Sequence, residues 1–243
     1  NEQLLFMQPS RELIIDSLQR QSDPKKAQWW QSYLKQEIPF LGVGTPDIRN
    51  ILLKMDRTGE MMELSLNRQV GLVNRLMKGS YAEEKLAAIL YMQLFWLGKQ
   101  KNSMMMGMIS DWFDEKHIFD WNTTDWLCVK VITPMLGSGD EKVLWMLKRW
   151  NRDPYLWKAR ASLVAFAQVP DITRYPREIE RFSDILIRRQ ERFAKTAVGW
   201  VLREYSRHDV EFVLSFLSKH VKYLTGEVKR NALKYHRQYL HHI

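Results

Sequence analysis

Apolar residues recur at three- and four-residue spacing along almost the whole chain, in segments separated by brief polar interruptions. From position 60 onward these segments are 60–78, 80–97, 104–117, 121–136, 140–150, 155–169, 176–190, 191–206, 208–222 and 226–240. The breaks carry turn-forming residues: Arg57-Thr58-Gly59, Lys78-Gly79-Ser80, Gly137-Ser138-Gly139-Asp140 and Arg152-Asp153-Pro154. Earlier in the chain, residues 10–35 read as helices with a turn at Ser22-Asp23-Pro24, where an Asp precedes a Pro at a first helical position. A loop rich in Gly and Pro follows, from Pro39 through Gly42 and Gly44 to Pro46, with Thr45 and Pro46 expected to cap a helix running to Lys54. No alternating polar–apolar stretch is long enough for a strand, so the pattern predicts an all-α protein.

A looser regularity lies over the helices. The second member of successive pairs starts at Lys85, Trp126, Arg160, Trp200 and Arg230, positions 41, 34, 40 and 30 residues apart. Irregular periods of this size in paired helices mark a HEAT-like α-solenoid of antiparallel helix pairs, here a single domain over 1–243. The second helices would line a concave face. An ordinary helical bundle is the alternative, and the small residues Ala87, Ala88, Ala161 and Ala165, which allow close helix approach, favour the solenoid.

Charge sharpens this picture. Before Lys142 there are 16 Lys+Arg against 18 Asp+Glu, and from Lys142 onward 21 against 10, which together make the net +9. An excess confined to one half points to a polyanion or an anionic membrane as partner. The cations gather at Lys148, Arg149, Arg152, Lys158 and Arg160, then at Arg188, Arg189, Arg192, Lys195 and Arg203. On one continuous helix Arg188, Arg192 and Lys195 would fall within about 60° of each other, a stripe able to follow a phosphate backbone. The bland reading is a solvated surface with Glu191 and Glu204 as local partners. The single Cys128 sits in an apolar stretch and reads as a small buried hydrophobe, in keeping with a reducing, cytoplasmic location. No apolar run approaches a membrane span. The six His residues form no ligand set, so neither metal nor cofactor is expected. Of the ten Trp residues, Trp29, Trp30, Trp96 and Trp145 have apolar neighbours and are expected in the core.

The stretch Phe119-Asp120-Trp121-Asn122-Thr123-Thr124-Asp125-Trp126 carries the candidate chemistry. On a helix Trp121 and Asp125 share a face, which places a carboxylate beside a large aromatic ring and suits a cationic guest. Trp200, like Trp121, falls at the start of a second helix.

Several ordered pieces resemble the AlkD-like DNA alkylation-repair glycosylases, from Tyr33 to about His220. They are Tyr33-Leu-Lys, then Pro39-Phe-Leu-Gly-Val with Pro46 and Arg49, Trp121 with Asp125, Trp157-Lys-Ala-Arg160-Ala, and Ala197-Val-Gly-Trp200-Val-Leu-Arg203-Glu-Tyr-Ser. At Gly44 the chain departs from relatives that carry a polar residue. The resemblance implies a HEAT-like enzyme that hydrolyses the N-glycosidic bond of alkylated purines in double-stranded DNA, typically 3-methyladenine and 7-methylguanine, without metal or cofactor. It implies Asp125, Trp121 and Trp200 as the catalytic set, Arg160 and Arg203 as phosphate-side contacts, and Tyr33 at the edge of the site. Lys158, Arg188, Arg192 and Lys195 join the expected DNA-binding face, on a protein expected to act as a monomer and away from membranes.

The residues make chemical sense of that implication. A base alkylated at N3 or N7 is already cationic and leaves as a neutral molecule, so no strong general acid is required. One carboxylate can stabilise the oxocarbenium-like sugar and orient water, between aromatic faces that hold the cationic nucleotide. Two other readings stand beside it. One is a non-catalytic HEAT-like protein that binds DNA structures. The other is a protein-binding scaffold in which Asp125 and Arg160 form a salt-bridge ladder between repeats.

Overall fold

In the computed structural model, residues 10–56 and 60–243 are described, and every regular element among them is helical. The expected break at Arg57-Thr58-Gly59 lies outside the described residues. The protein is all-α, and its chain divides into two compact units, Asn1–Gln100 and Lys101–Ile243.

The first unit contains α1 (Arg11–Arg20), α2 (Pro24–Tyr33), α3 (Thr45–Met55), α4 (Glu60–Glu63), α5 (Leu66–Met77) and α6 (Ala82–Tyr91). Asp23 caps α2, its carboxylate accepting the N–H groups of Lys25 and Lys26 at 3.0 and 3.2 Å, and Pro24 opens the helix as the sequence suggests. At α3 the expectation is shifted by one residue: Gly44 is the N-cap and Thr45 is already helical. The segment 60–78 is interrupted at Leu64-Ser65. α6 packs on α3 and α5 and continues into a wider π-helical turn, Met92–Trp96. Trp96 is fully buried and donates its indole N–H to Gln69 at 2.7 Å.

The Pro39–Val43 loop is held from within the unit. The buried carboxylate of Glu83 accepts the backbone N–H of Leu41 at 3.0 Å, Gly42 at 2.8 Å and Val43 at 3.1 Å. Consecutive N–H groups turned to one point form an anion nest, and here the anion is a side chain of the protein itself. Burial pushes the Glu83 carboxyl up, and the three N–H donors oppose that shift. Gly42 has φ +88°, and a Cβ there would stand 2.0 Å from the Asp23 carbonyl oxygen, so the position requires glycine.

The second unit holds α7 (Asn102–Asp114), α8 (Trp121–Leu127), α9 (Thr133–Gly137), α10 (Glu141–Trp150), α11 (Leu156–Val164), α12 (Pro176–Ile187), α13 (Arg192–Tyr205), α14 (Val210–Lys219) and α15 (Gly226–Ala232). Contacts run in series from α8 to α11, α11 to α13 and α13 to α15, while α10 and α12 pack on α11, and α12 and α14 on α13. Stacking each pair on the next in this way is the order of an α-solenoid. Ala159, Ala161, Ala165, Ala194 and Ala197 are buried where α11 and α13 meet their neighbours, the small-residue packing that the pattern anticipates.

Two tryptophans depart outright from the expectation of a core position, and a third, Trp30, is only half-buried. Trp29 is 63% exposed and Trp145 is 56% exposed. Both lie on the solvent face of amphipathic helices, where apolar sequence neighbours turn away by about 100° per residue and carry no information about burial. Cys128 is fully buried, as read from its surroundings.

Candidate active site

The local frame of the site begins at Asp120, a fully buried N-cap. Its carboxylate accepts the Thr123 N–H at 2.8 Å and the Thr123 hydroxyl at 2.7 Å, while the Thr124 hydroxyl donates to the Asp120 carbonyl oxygen at 2.8 Å. These bonds satisfy the first turn of α8 and set the direction in which Trp121 and Asp125 leave it. The helix then widens into a π turn, Cys128–Ile132. Pro134 follows; it lacks an N–H and its ring crowds the carbonyl four residues back, so a wider turn accommodates it.

Trp121, Asp125 and Trp200 meet at one cleft of roughly 240 Å³, open to solvent and also lined by Asn122, Trp126, Val129 and Gln168. α8 and its π turn supply one wall, α13 supplies Trp200, and Gln168 comes from the segment after α11. Sequence reasoning did not single out Trp126, Val129 or Gln168 as lining residues. Trp126 adjoins Asp125, a signal that was present, whereas Gln168 carries no motif.

Arg160 lies beside the acid. Its Nε donates to Asp125 Oδ1 and its Nη2 to Oδ2, each at 2.9 Å, and its Nη1 donates to the Phe193 carbonyl oxygen at 2.7 Å and the Thr196 hydroxyl at 3.0 Å. With 5% of its surface exposed, Arg160 stands in the fold beneath the cleft, where the resemblance had implied a phosphate contact. One guanidinium therefore joins α8, α11 and α13, and it grips α13 one turn before Trp200. Burial raises the Asp125 carboxyl above its ordinary value, and the Arg160 charge and hydrogen bonds counter part of that rise. Just below, burial pushes the Cys128 thiol far up, as does the Asp125 charge, which leaves it a weak nucleophile.

The other expected DNA-binding cations each have a partner within the chain, buried for Lys158 and at the surface for Arg188 and Arg192. Lys158 is buried and donates to Asp114 at 2.8 Å, with Asp153 at 3.7 Å. Arg203 is bonded to Glu204 at 2.8 Å and to Asn231 at 3.1 Å. The three cations of the stripe do not share a continuous helix, because Arg188 follows the end of α12 and Arg192 begins α13. Two of them converge instead on Tyr223. Arg188 donates to its hydroxyl at 3.0 Å and to Asp184 at 2.7 Å, and Lys195 donates to its carbonyl oxygen at 2.6 Å. Arg192 is paired with Glu227 at 2.6 Å. By contrast Lys130, on the π turn, has no carboxylate partner among the described residues, and its ammonium stands 5.1 Å from the ring of Trp126.

Tyr33 belongs to the first unit. It is 62% exposed, and its ring stacks on Trp29 with centroids 5.5 Å apart and planes 2° from parallel. Among the described residues no group of three or more His, Cys, Asp or Glu side chains could hold a metal ion, and no helix is long and apolar enough to cross a membrane.

Fold and site together define a helical-repeat protein with an aromatic and acidic cleft. The family comparison gives this class a name: residues 14–236 match the model of the DNA alkylation repair enzyme family, and the chain belongs to that family. Among solved structures it is similar to one described as "Predicted DNA alkylation repair enzyme from Enterococcus faecalis", with a TM-score of 0.76 and 15% identity over 88% of this chain and 96% of that one. At that identity the likeness is one of fold. No curated protein matches the chain.

Proposed function

We propose that this DNA alkylation repair protein is a glycosylase that removes cationic purines, 3-methyladenine and 7-methylguanine, from double-stranded DNA. Asp125 is the reacting carboxylate. The observation that carries this reading is the convergence of Trp121, Asp125 and Trp200 on one open cleft, with the carboxylate held in place by Arg160.

The bidentate bond occupies one lone-pair direction of each Asp125 oxygen and leaves the other free to face the sugar and a water molecule. As the bond to the base breaks, positive charge grows on the sugar, and a carboxylate fixed before the reaction stabilises it without reorganising. The faces of Trp121 and Trp200 hold the cationic nucleotide, each contributing about 0.5–2 kcal/mol. Because the leaving base is neutral once released, the cleft needs no proton donor. Its shallow, open form suits approach to the sugar from the backbone side of a duplex.

A second reading rests on the same ion pair: Asp125 and Arg160 also have the form of a salt bridge between repeats in a protein that only binds DNA. Asp125→Asn separates the two. The glycosylase reading predicts that this variant binds alkylated duplex as the parent does and releases no 7-methylguanine. Undiminished release would sink it, and a parent protein that binds duplex without releasing base would favour the binding role.

A further inference from the structure

Lys148, Arg149, Arg152 and Arg181 are all exposed, and among the described residues none of them is paired with a carboxylate or a carbonyl oxygen. Lys148, Arg152 and Arg181 edge a cavity of roughly 300 Å³ between α10 and α12, helices that contribute nothing to the Asp125 cleft. Inside, the recess is apolar: Phe182 is buried, and Leu144 and Ile185 are half-buried. Trp145 forms its lip, largely exposed, with the Arg149 guanidinium 4.8 Å from its ring.

Glu141 and Glu178 also border the recess. Each lies in the first turn of its helix, where a carboxylate offsets the positive helix start, and on both helices the cations come after it. With Arg149 included, the rim carries four cations against two carboxylates. Unpaired positive charge around an apolar recess is the form of a docking surface, and Trp and Arg are the side chains that carry such surfaces.

The occupant has to bring an apolar side chain for the recess and carboxylates for the rim. A duplex backbone brings anions but nothing apolar to fill the space, and its unbroken negative charge meets Glu141 and Glu178. A lipid surface cannot follow apolar side chains that are sunk between two helices. A helix with Leu or Phe on one face and Asp or Glu beside them supplies both needs. We propose that the α10–α12 groove docks an acidic amphipathic helix of a partner protein. Its aliphatic or aromatic anchor packs on Trp145, Phe182 and Ile185, and its carboxylates face Lys148, Arg152 and Arg181. The groove and the Asp125 cleft share no lining residue, so occupation of one leaves the other open.

Calorimetric titration of the full chain tests this with three synthetic peptides of about 15 residues. One has Leu and Phe at three- and four-residue spacing with Glu and Asp elsewhere, the second has Ala in place of its apolar anchors, and the third has Lys in place of its acids. Saturable binding of the first alone is expected, weakening as salt is raised. Trp145→Ala should lower its affinity by at least about tenfold, and Arg181→Glu by a similar factor. Both side chains are exposed, so each variant keeps the fold. A short DNA duplex and phosphatidylglycerol vesicles should leave the bound peptide in place. The proposal is overturned if the acidic peptide does not saturate, if the Ala-anchored or Lys form binds equally well, or if either variant keeps the parent affinity. Displacement by duplex, or by vesicles, would overturn it in favour of a DNA-facing or a lipid-facing groove.

Discussion

Both oxygens of Asp125 are held at 2.9 Å by the guanidinium of Arg160, a residue 35 positions further along the chain on a different helix. The pair lies under an aromatic cleft, and the same arginine is anchored to Phe193 and Thr196 on α13. Its geometry makes Arg160 a positioning residue for the acid, and each consequence below can be measured.

Replacing Arg160 with Ala leaves Asp125 in a partly buried site with no counter-charge. Removing one member of a buried ion pair costs about 3–5 kcal/mol, so chemical denaturation of Arg160→Ala should show a loss of that size. Arg160→Lys restores the charge but not the two-pronged geometry, and should recover stability better than it recovers the rate of base release.

The pH dependence follows from the raised carboxyl of Asp125. In the proposed glycosylase mechanism the ionised form is the reacting one, so base release should rise with pH along an acid limb lying above the ordinary aspartate value of about 3.9. Losing the Arg160 charge removes an influence that lowers this pKa, and the limb should move further up in Arg160→Ala. A change of scaffold packing alone would leave the limb in place. For stability the sign is opposite. The folded state binds the proton more tightly than the unfolded state, so this group favours folding below the unfolded pKa. That contribution is lost as pH rises through the folded value. Denaturation midpoints of the parent and Asp125→Asn should therefore converge at low pH and separate above it.

In the first unit, Glu83→Gln replaces an acceptor that serves three backbone N–H groups with a side chain that can offer only one oxygen. At least one of the donors of Leu41, Gly42 and Val43 then goes unmet, at roughly 1–3 kcal/mol. Gly42→Ala should cost about 3 kcal/mol or more, because strain at positive φ adds to a collision with the Asp23 carbonyl. Urea denaturation of each variant measures both losses.

The salt dependence of duplex binding tests which cations face phosphate. Each released phosphate contact changes the slope of log K against log salt by about 0.9. Arg203 is held by Glu204 and Asn231, so alanine there should change the slope by well under that amount. Lys130, beside Trp126 and without a carboxylate partner among the described residues, should change it by close to the full increment.

Much of this protein could be read from residue order. The three- and four-residue spacing of apolar positions established an all-helical chain, since that period follows from helix geometry alone. Asp23 before Pro24 announced a helix start, and the ordered pieces around Trp121, Asp125, Arg160 and Trp200 pointed to DNA alkylation repair. Roles that depend on what lies across a helix boundary were decided by tertiary structure. Whether Arg160 meets a phosphate or a carboxylate depends on the seating of α11 against α8 and α13, and the local sequence around residue 160 does not contain that information. In the same way, Arg188, Arg192 and Lys195 form a stripe only on an unbroken helix, and the chain bends between them. Trp145 and Trp96 have comparably apolar neighbours, yet one faces solvent and the other is buried, because burial depends on which face the next helix covers. Local propensity acts within a few residues of its source. The partners that give a charged or aromatic side chain its function come from helices far away in the chain, and packing alone brings them together.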